Sequence, residues 1–145
     1  MFKMVWDSPD VPAEGHAGIV PLGKAHAAQA LPLAELTHPG PFGPRTVELG
    51  DYVGFFDGDR LVAMAGERMR AAPLREISGV CTHPDFRGRG LARMLVSALV
   101  ARQVARGETP FLHVVTENVS ARRIYSGMGF RDYREVPLRY LARTG

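Results

Sequence analysis

The sequence predicts a mixed α/β domain, and three observations point to it. Two apolar runs, Tyr52–Phe56 and Arg60–Met64, flank Asp57-Gly58-Asp59, which has the composition of a tight β-hairpin turn. A strand-like run ending at Thr82 passes through a proline-containing turn into glycines and then into a helical pattern at Leu91, Met94, Leu95, Ala98 and Leu99. A further strand-like run, Phe111–Thr116, leads to a shorter helical pattern at Ala121, Ile124, Tyr125 and Met128. A chain of 145 residues holds one such domain with a real core.

Taken in order, the elements begin with an N-terminal arm over residues 1–17, whose stretch Asp7–Gly15 is rich in proline and acids. Ile19–Leu22 reads as a first strand. Lys24–Thr37 reads as a helix, with Pro32 predicting a break or kink. His38–Pro44 carries Pro39, Pro41 and Pro44 and predicts an irregular loop over a ligand groove. The hairpin follows, its second strand extending toward Met69, and Leu74–Thr82 is the next strand. The long helix starts after Gly90 and ends near Arg106 and Gly107, where arginines complement the helix dipole and glycine suits the stop. Asn118 or Ser120 caps the short helix. Phe130–Tyr133 and Leu138–Leu141 read as two last strands.

Composition narrows the function classes. Hydrophobic residues make up 46% and charged residues 23%, ordinary for a globular protein, and no apolar run approaches membrane-spanning length. Met1–Trp6 is followed by acids and prolines, unlike a signal peptide, and Cys81 is the one cysteine, which suits a reducing cytoplasm. The net charge is only +3, with arginines gathered from Arg87 onward, which favours an anionic small ligand over a nucleic-acid surface. The five histidines show no metal-ligand spacing, so no metal is expected.

The most informative segment is Arg87-Gly88-Arg89-Gly90-Leu91-Ala92. Glycines at a loop-to-helix junction let backbone N–H groups point at a ligand, and the helix start adds partial positive charge. Phosphate or pyrophosphate suits such a site, and Arg87 and Arg89 add to the preference. An ordinary tight connection with solvated arginines accounts for the loop equally well taken alone. A P-loop is excluded because no Gly-Lys-Ser/Thr ends the run, and a dinucleotide fingerprint meets Arg93 at its third small position.

Arg87, Gly90 and Ala92 occupy every defined position of Arg/Gln-x-x-Gly-x-Gly/Ala, the pyrophosphate loop of the GNAT acetyltransferase superfamily. Downstream, Asn118, Ala121, Tyr125, Gly129 and Phe130 resemble the second signature of that family. The resemblance is anchored from about Ile77 to Phe130. It implies a GNAT fold that takes acetyl-CoA between two splayed parallel strands, here Ile77–Thr82 and Phe111–Thr116. It implies that the backbone of Val80, Cys81 and Thr82 pairs with the pantetheine arm, a backbone N–H near Val80 polarises the thioester carbonyl, and the loop residues Arg87 to Ala92 hold the pyrophosphate. It further implies that Tyr125 protonates the departing thiolate and that Asn118 bonds the cofactor, although a core tyrosine and a helix cap explain those two residues as well. For the base, Glu76 is favoured, with Glu67, His113 or a water chain as alternatives. The activity implied is direct acetyl transfer to a primary amine. The rival is a CoA-binding sensor or interaction module without turnover, and a third reading makes Cys81 a hydrolytic nucleophile. The partners implied are acetyl-CoA and an amine acceptor, with no nucleic acid and no membrane. Dimers are common in the family, which leaves a homodimer open.

Overall fold

The computed structural model of the protein describes residues 1–12, 18–37, 42–43, 46 and 50–135. Its strands are β1 (Phe2–Trp6), β2 (Ile19–Leu22), β3 (Tyr52–Asp57), β4 (Arg60–Ala71), β5 (Leu74–Thr82), β6 (Thr109–Val114) and β7 (Phe130–Glu135). Its helices are α1 (Ala27–Thr37), α2 (Leu91–Ala105) and α3 (Val119–Met128). One seven-stranded sheet runs β2-β3-β4-β5-β6-β1-β7, and the β5–β6 pair is parallel while the others are antiparallel. The mixed α/β class is the one the sequence predicts. The hairpin closes with Asp57 opposite Arg60 and Gly58 at φ +60, the left-handed conformation that the Asp-Gly signal implies.

Three differences from the sequence reading have physical causes. Phe2–Trp6, expected within an arm, forms an interior strand between β6 and β7. Its alternation buries Met4 and Trp6 against the core, a five-residue signal too short to outweigh the prolines that follow it. Pro32 lies inside α1 without ending it. The buried Ala30, Leu33 and Ala34 hold the helix on the sheet across the one hydrogen bond that a proline removes. Strand β6 begins at Thr109 and stops at Val114, shifted toward the N-terminus of the expected run. The expected strand Leu138–Leu141 and most of the loop His38–Pro44 lie outside the described residues.

Two apolar clusters cover the two faces of the sheet. On one, Leu95, Val96, Leu99 and Val100 of α2 pack on Val53, Val62, Ile77, Leu112 and Val114, with Tyr125 and Met128 of α3 beside them. On the other, Ala30, Leu33 and Ala34 of α1 pack on Tyr52, Met64 and Cys81. Alternation along β5 and β6 then assigns the faces of the polar residues. Ile77, Leu112 and Val114 face α2 and α3, so Glu76, Phe111 and His113 face the other way.

A buried acid ties the elements together at one end. Glu67 is 1% exposed and accepts from the Asp51 backbone N–H (3.0 Å), Arg75 Nη2 (3.1 Å), Gln103 Nε2 (2.8 Å) and Arg106 Nη2. Burial by itself raises a carboxyl pKa. The hydrogen bonds, that of Gln103 foremost, outweigh it and hold Glu67 below its ordinary value of 4.5. The folded state therefore binds fewer protons than the unfolded chain in the acid range. The stabilisation is fully present above the unfolded carboxyl value and is lost as pH falls through the lower folded one. Denaturant titrations between pH 3 and 7 should show stability falling below about pH 4.5, with a shallower fall in Glu67→Gln. At pH 7 that variant should lose about 3 kcal/mol, the lower end for breaking a buried ion pair, because Arg106 is partly solvated.

Candidate active site

The parallel pairing of β5 with β6 runs from Leu74↔Thr109 to Glu76↔Phe111, while both strands continue beyond it. The cause is local. Opposite β4, Met64 pairs with Cys81 and Gly66 with Ser78, so β5 spends one residue more than its partner. Gly79 sits in that irregularity at φ +64. A Cβ there would lie 3.1 Å from the Tyr52 hydroxyl, and one at Gly66 would lie 2.2 Å from the Tyr52 ring, so two glycines make the seat of this buried tyrosine. The bulge bends β5 away from β6. Cys81 and Thr82 keep β4 on one hydrogen-bonding edge, Val80 lies in the bulge, and the other edge of the three faces the opening.

The glycine loop stands at the mouth of that opening. Gly90 caps α2 at φ +75 and Gly88 has φ +78, and a Cβ on either would meet nothing within 4 Å. The first intrahelical bond is Met94 N–H to Gly90 O at 3.0 Å, so the N–H groups of Leu91, Ala92 and Arg93 precede it, and no side chain caps them. Arg87 and Arg89 are exposed beside them. Arg87 Nε donates to the Thr82 carbonyl at 3.3 Å, and the Arg89 guanidinium stacks on Phe86 at 4.8 Å. Open donors, left-handed glycines with free space and two cations fit a pyrophosphate.

Tyr125 lies on α3, partly buried, with its ring edge-on to Phe130 at 5.9 Å. Burial pushes its pKa up to about 12, so the phenol keeps its proton at neutral pH. Glu76 is 5% exposed on the opposite face, and its Oε2 lies 2.9 Å from His113 Nδ1. Sequence reasoning treated Glu76 and His113 as competing bases, whereas the fold puts them in contact. Tyr125 and Glu76 thus flank the sheet from two sides. The opening between β5 and β6 is the break in the sheet between those faces.

The other candidates sort out on geometry. Glu67 is committed to its cationic partners on the α2 face, at the far end of α2 from the glycine loop. Asn118 caps α3, its Oδ1 accepting from Ala121 N–H at 3.2 Å, which leaves its amide NH₂ uncommitted by that bond. The Cys81 thiol is buried and its pKa is pushed up to about 11 by that burial, so it is not a thiolate at neutral pH. Among the described residues there is no cluster of metal-ligating side chains, and no helix is long and apolar enough to cross a membrane.

A mixed sheet opened between two parallel strands, with a glycine loop leading into a helix at the mouth, is the architecture of the GNAT acyl-CoA transferases. The family model described as FR47-like protein matches residues 52–138, and the chain belongs to that family within the GNAT superfamily. Among curated relatives, the N-alpha-acetyltransferase RimI of Mycobacterium tuberculosis is 36% identical over 83 residues, 55% of this chain and 51% of that protein. The [ribosomal protein bS18]-alanine N-acetyltransferase of Salmonella typhimurium is 31% identical over 106 residues, 72% of this chain and 68% of that protein. A GNAT-family acetyltransferase structure from Novosphingobium aromaticivorans superposes with a TM-score of 0.87 at 46% identity, covering 92% of this chain and 59% of that one. The chain therefore spans about half the length of the Mycobacterium relative and well under the full length of the Novosphingobium chain.

Gly90 offers the direct check on the loop. Gly90→Ala costs about 1–2 kcal/mol of stability for an L-residue at positive φ and places a methyl group where the pyrophosphate would approach. Calorimetry should show a folded protein whose acetyl-CoA affinity is down about 10–100-fold, as for loss of a charge-assisted hydrogen bond. Unchanged affinity would remove the loop from recognition.

Proposed function

We propose that the protein transfers an acetyl group from acetyl-CoA to a primary amine by direct attack, with no acyl-enzyme. The observation that carries this reading is the opening between β5 and β6, which has a proton-bearing phenol on one face and a buried carboxylate on the other. The thioester lies in the gap, with its pantetheine arm along the free edge of Val80 to Thr82 and its pyrophosphate on Arg87 to Ala92. A backbone N–H at the bulge near Val80 accepts the role of oxyanion donor, since a fixed dipole aimed at the carbonyl oxygen stabilises charge as it develops. The amine enters from the face that carries Glu76, which supplies the basic end of the route. Its nitrogen bonds the carbonyl carbon, the C–S bond breaks, and Tyr125 gives its proton to the departing thiolate. A phenol held near 12 suits that task, because it is fully protonated until a strong base forms beside it.

One curated relative is named an N-alpha-acetyltransferase and the other an N-acetyltransferase of an alanine in ribosomal protein bS18, which makes an alanine-initiated peptide the first acceptor to try. The decisive pair is acetyl-CoA affinity and single-turnover acetyl transfer to an alanine-initiated peptide, in wild type and Tyr125→Phe. Affinity should hold and transfer should fall about 10²–10⁴-fold for loss of a general acid. Normal transfer by the variant would make Tyr125 a packing residue. Acetyl-CoA binding by the wild type without transfer to the peptide or to small amines would favour the non-catalytic sensor.

A further inference from the structure

The Glu76–His113 contact divides the basic role between two residues. Glu76 stands at the last paired position of β5, opposite Phe111, and His113 lies two places further along β6 on the same face. Their separation of 2.9 Å is a hydrogen bond between Nδ1 and Oε2. A carboxylate can only accept, so Nδ1 carries the proton and the lone pair of the neutral ring sits on Nε2. The Phe111 ring packs edge-on to the imidazole, centroids 5.8 Å apart at 84°, which fixes its plane. The side chain of His113 is 16% exposed against 7% for Glu76, so an incoming acceptor meets the imidazole before the carboxylate.

The carboxylate is under-satisfied. Its Oε1 is buried without a hydrogen-bond partner among the described residues, so the His113 N–H is the one bond that compensates its burial. A buried anion with a single neutral donor gains most when that donor becomes a cation. Two further titratable groups stand on this face. Lys3 of β1 is in register with His113, but its ammonium lies over the Phe111 and Tyr133 rings at 4.8 and 5.3 Å. Tyr52 of β3, in electrostatic reach of Arg68 on β4 and of Glu76, holds its proton because burial pushes its pKa up to about 12.

We infer that His113 Nε2 is the group that takes the proton from the acceptor amine, and that Glu76 is a positioning residue acting through it. The inference rests on the acetyltransferase reading. In the step, the amine nitrogen bonds the thioester carbon and its N–H proton goes to Nε2. The C–S electron pair leaves with sulfur, which takes the Tyr125 proton. The imidazolium then releases its proton to solvent and the phenolate is reprotonated from solvent, so both groups return to their starting state.

Three proteins test this: wild type, His113→Gln and Glu76→Gln, assayed with acetyl-CoA and an alanine-initiated peptide across pH 5 to 9. In wild type, kcat/KM should rise along a limb in the range where imidazoles titrate, about pH 5–8. His113→Gln should lose that limb and about 10²–10⁴-fold in rate at neutral pH, with acetyl-CoA affinity unchanged. Glu76→Gln should keep the limb but lower kcat rather than raise KM, because an amide can donate to Nδ1 as well as accept from it and no longer holds the Nδ1–H tautomer; a merely structural carboxylate would not give that split. A limb below about pH 7, under that of the peptide's own α-amino group, that survives in His113→Gln, or a wild-type kcat in Glu76→Gln, overturns the inference. Absence of transfer by the wild type to the peptide and to small amines would instead sink the acetyltransferase reading. Nitrogen-15 NMR of the His113 ring then still decides the pair: an Nδ1–H tautomer in wild type that becomes mixed in Glu76→Gln supports it, and the same tautomer population in both proteins refutes it.

Discussion

The extra residue that β5 carries opposite β4 sets the geometry on which everything else depends. A ladder that simply continued would pair Ile77–Thr82 with β6 and leave a closed sheet with two unconnected faces. One residue too many, accommodated by Gly79 at positive φ against the Tyr52 phenol, turns β5 aside. The backbone groups released on its inner edge face a gap instead of a neighbour. Unpaired strand edges are ordinarily a liability. Here the edge is short, ends at the cationic loop, and lies where a flexible amide-bearing ligand can complete it.

A gap of this kind needs its opposite end held shut, and Glu67 does so. The carboxylate collects the Asp51 backbone ahead of β3, Arg75 on β5, and Gln103 and Arg106 at the end of α2. Arg75 is itself at the paired end, opposite Pro110 of β6. The same long helix thus has its last turn locked into a buried ion network and its first turn offering free N–H groups to the mouth. Rigidity and openness are distributed along one element, 15 residues long.

Local signals carried most of this in the sequence. The Asp-Gly hairpin, the glycine loop and the apolar stripe of α2 announce themselves within a few residues, because turn chemistry and helical period are short-range properties. The Asn118 cap was readable for the same reason. What stayed hidden depends on partners remote in the chain. Nothing in Ile77-Ser78-Gly79-Val80 distinguishes a bulge from a straight strand until β4 lies beside it. Glu76 and His113 look like rivals in one dimension, and only the parallel register makes them neighbours. Phe2–Trp6 has a strand's alternation but no local reason to be interior.

That first strand has a consequence for how the molecule comes into being. Met4 and Trp6 are buried only when residues 111–114 and 130–135 stand on either side of them. The β2–β5 meander and α2 separate β1 along the chain from both of its neighbours, so it pairs only when segments remote in sequence have come to it. Non-local closure of this kind slows folding, since loop entropy is lost before contacts repay it. It also leaves apolar strand surface waiting for a partner, the state in which a neighbouring chain can substitute for the proper one. The β6-β1-β7 flank of the sheet is therefore held by pairings remote in sequence, and it closes only when all three strands are in place.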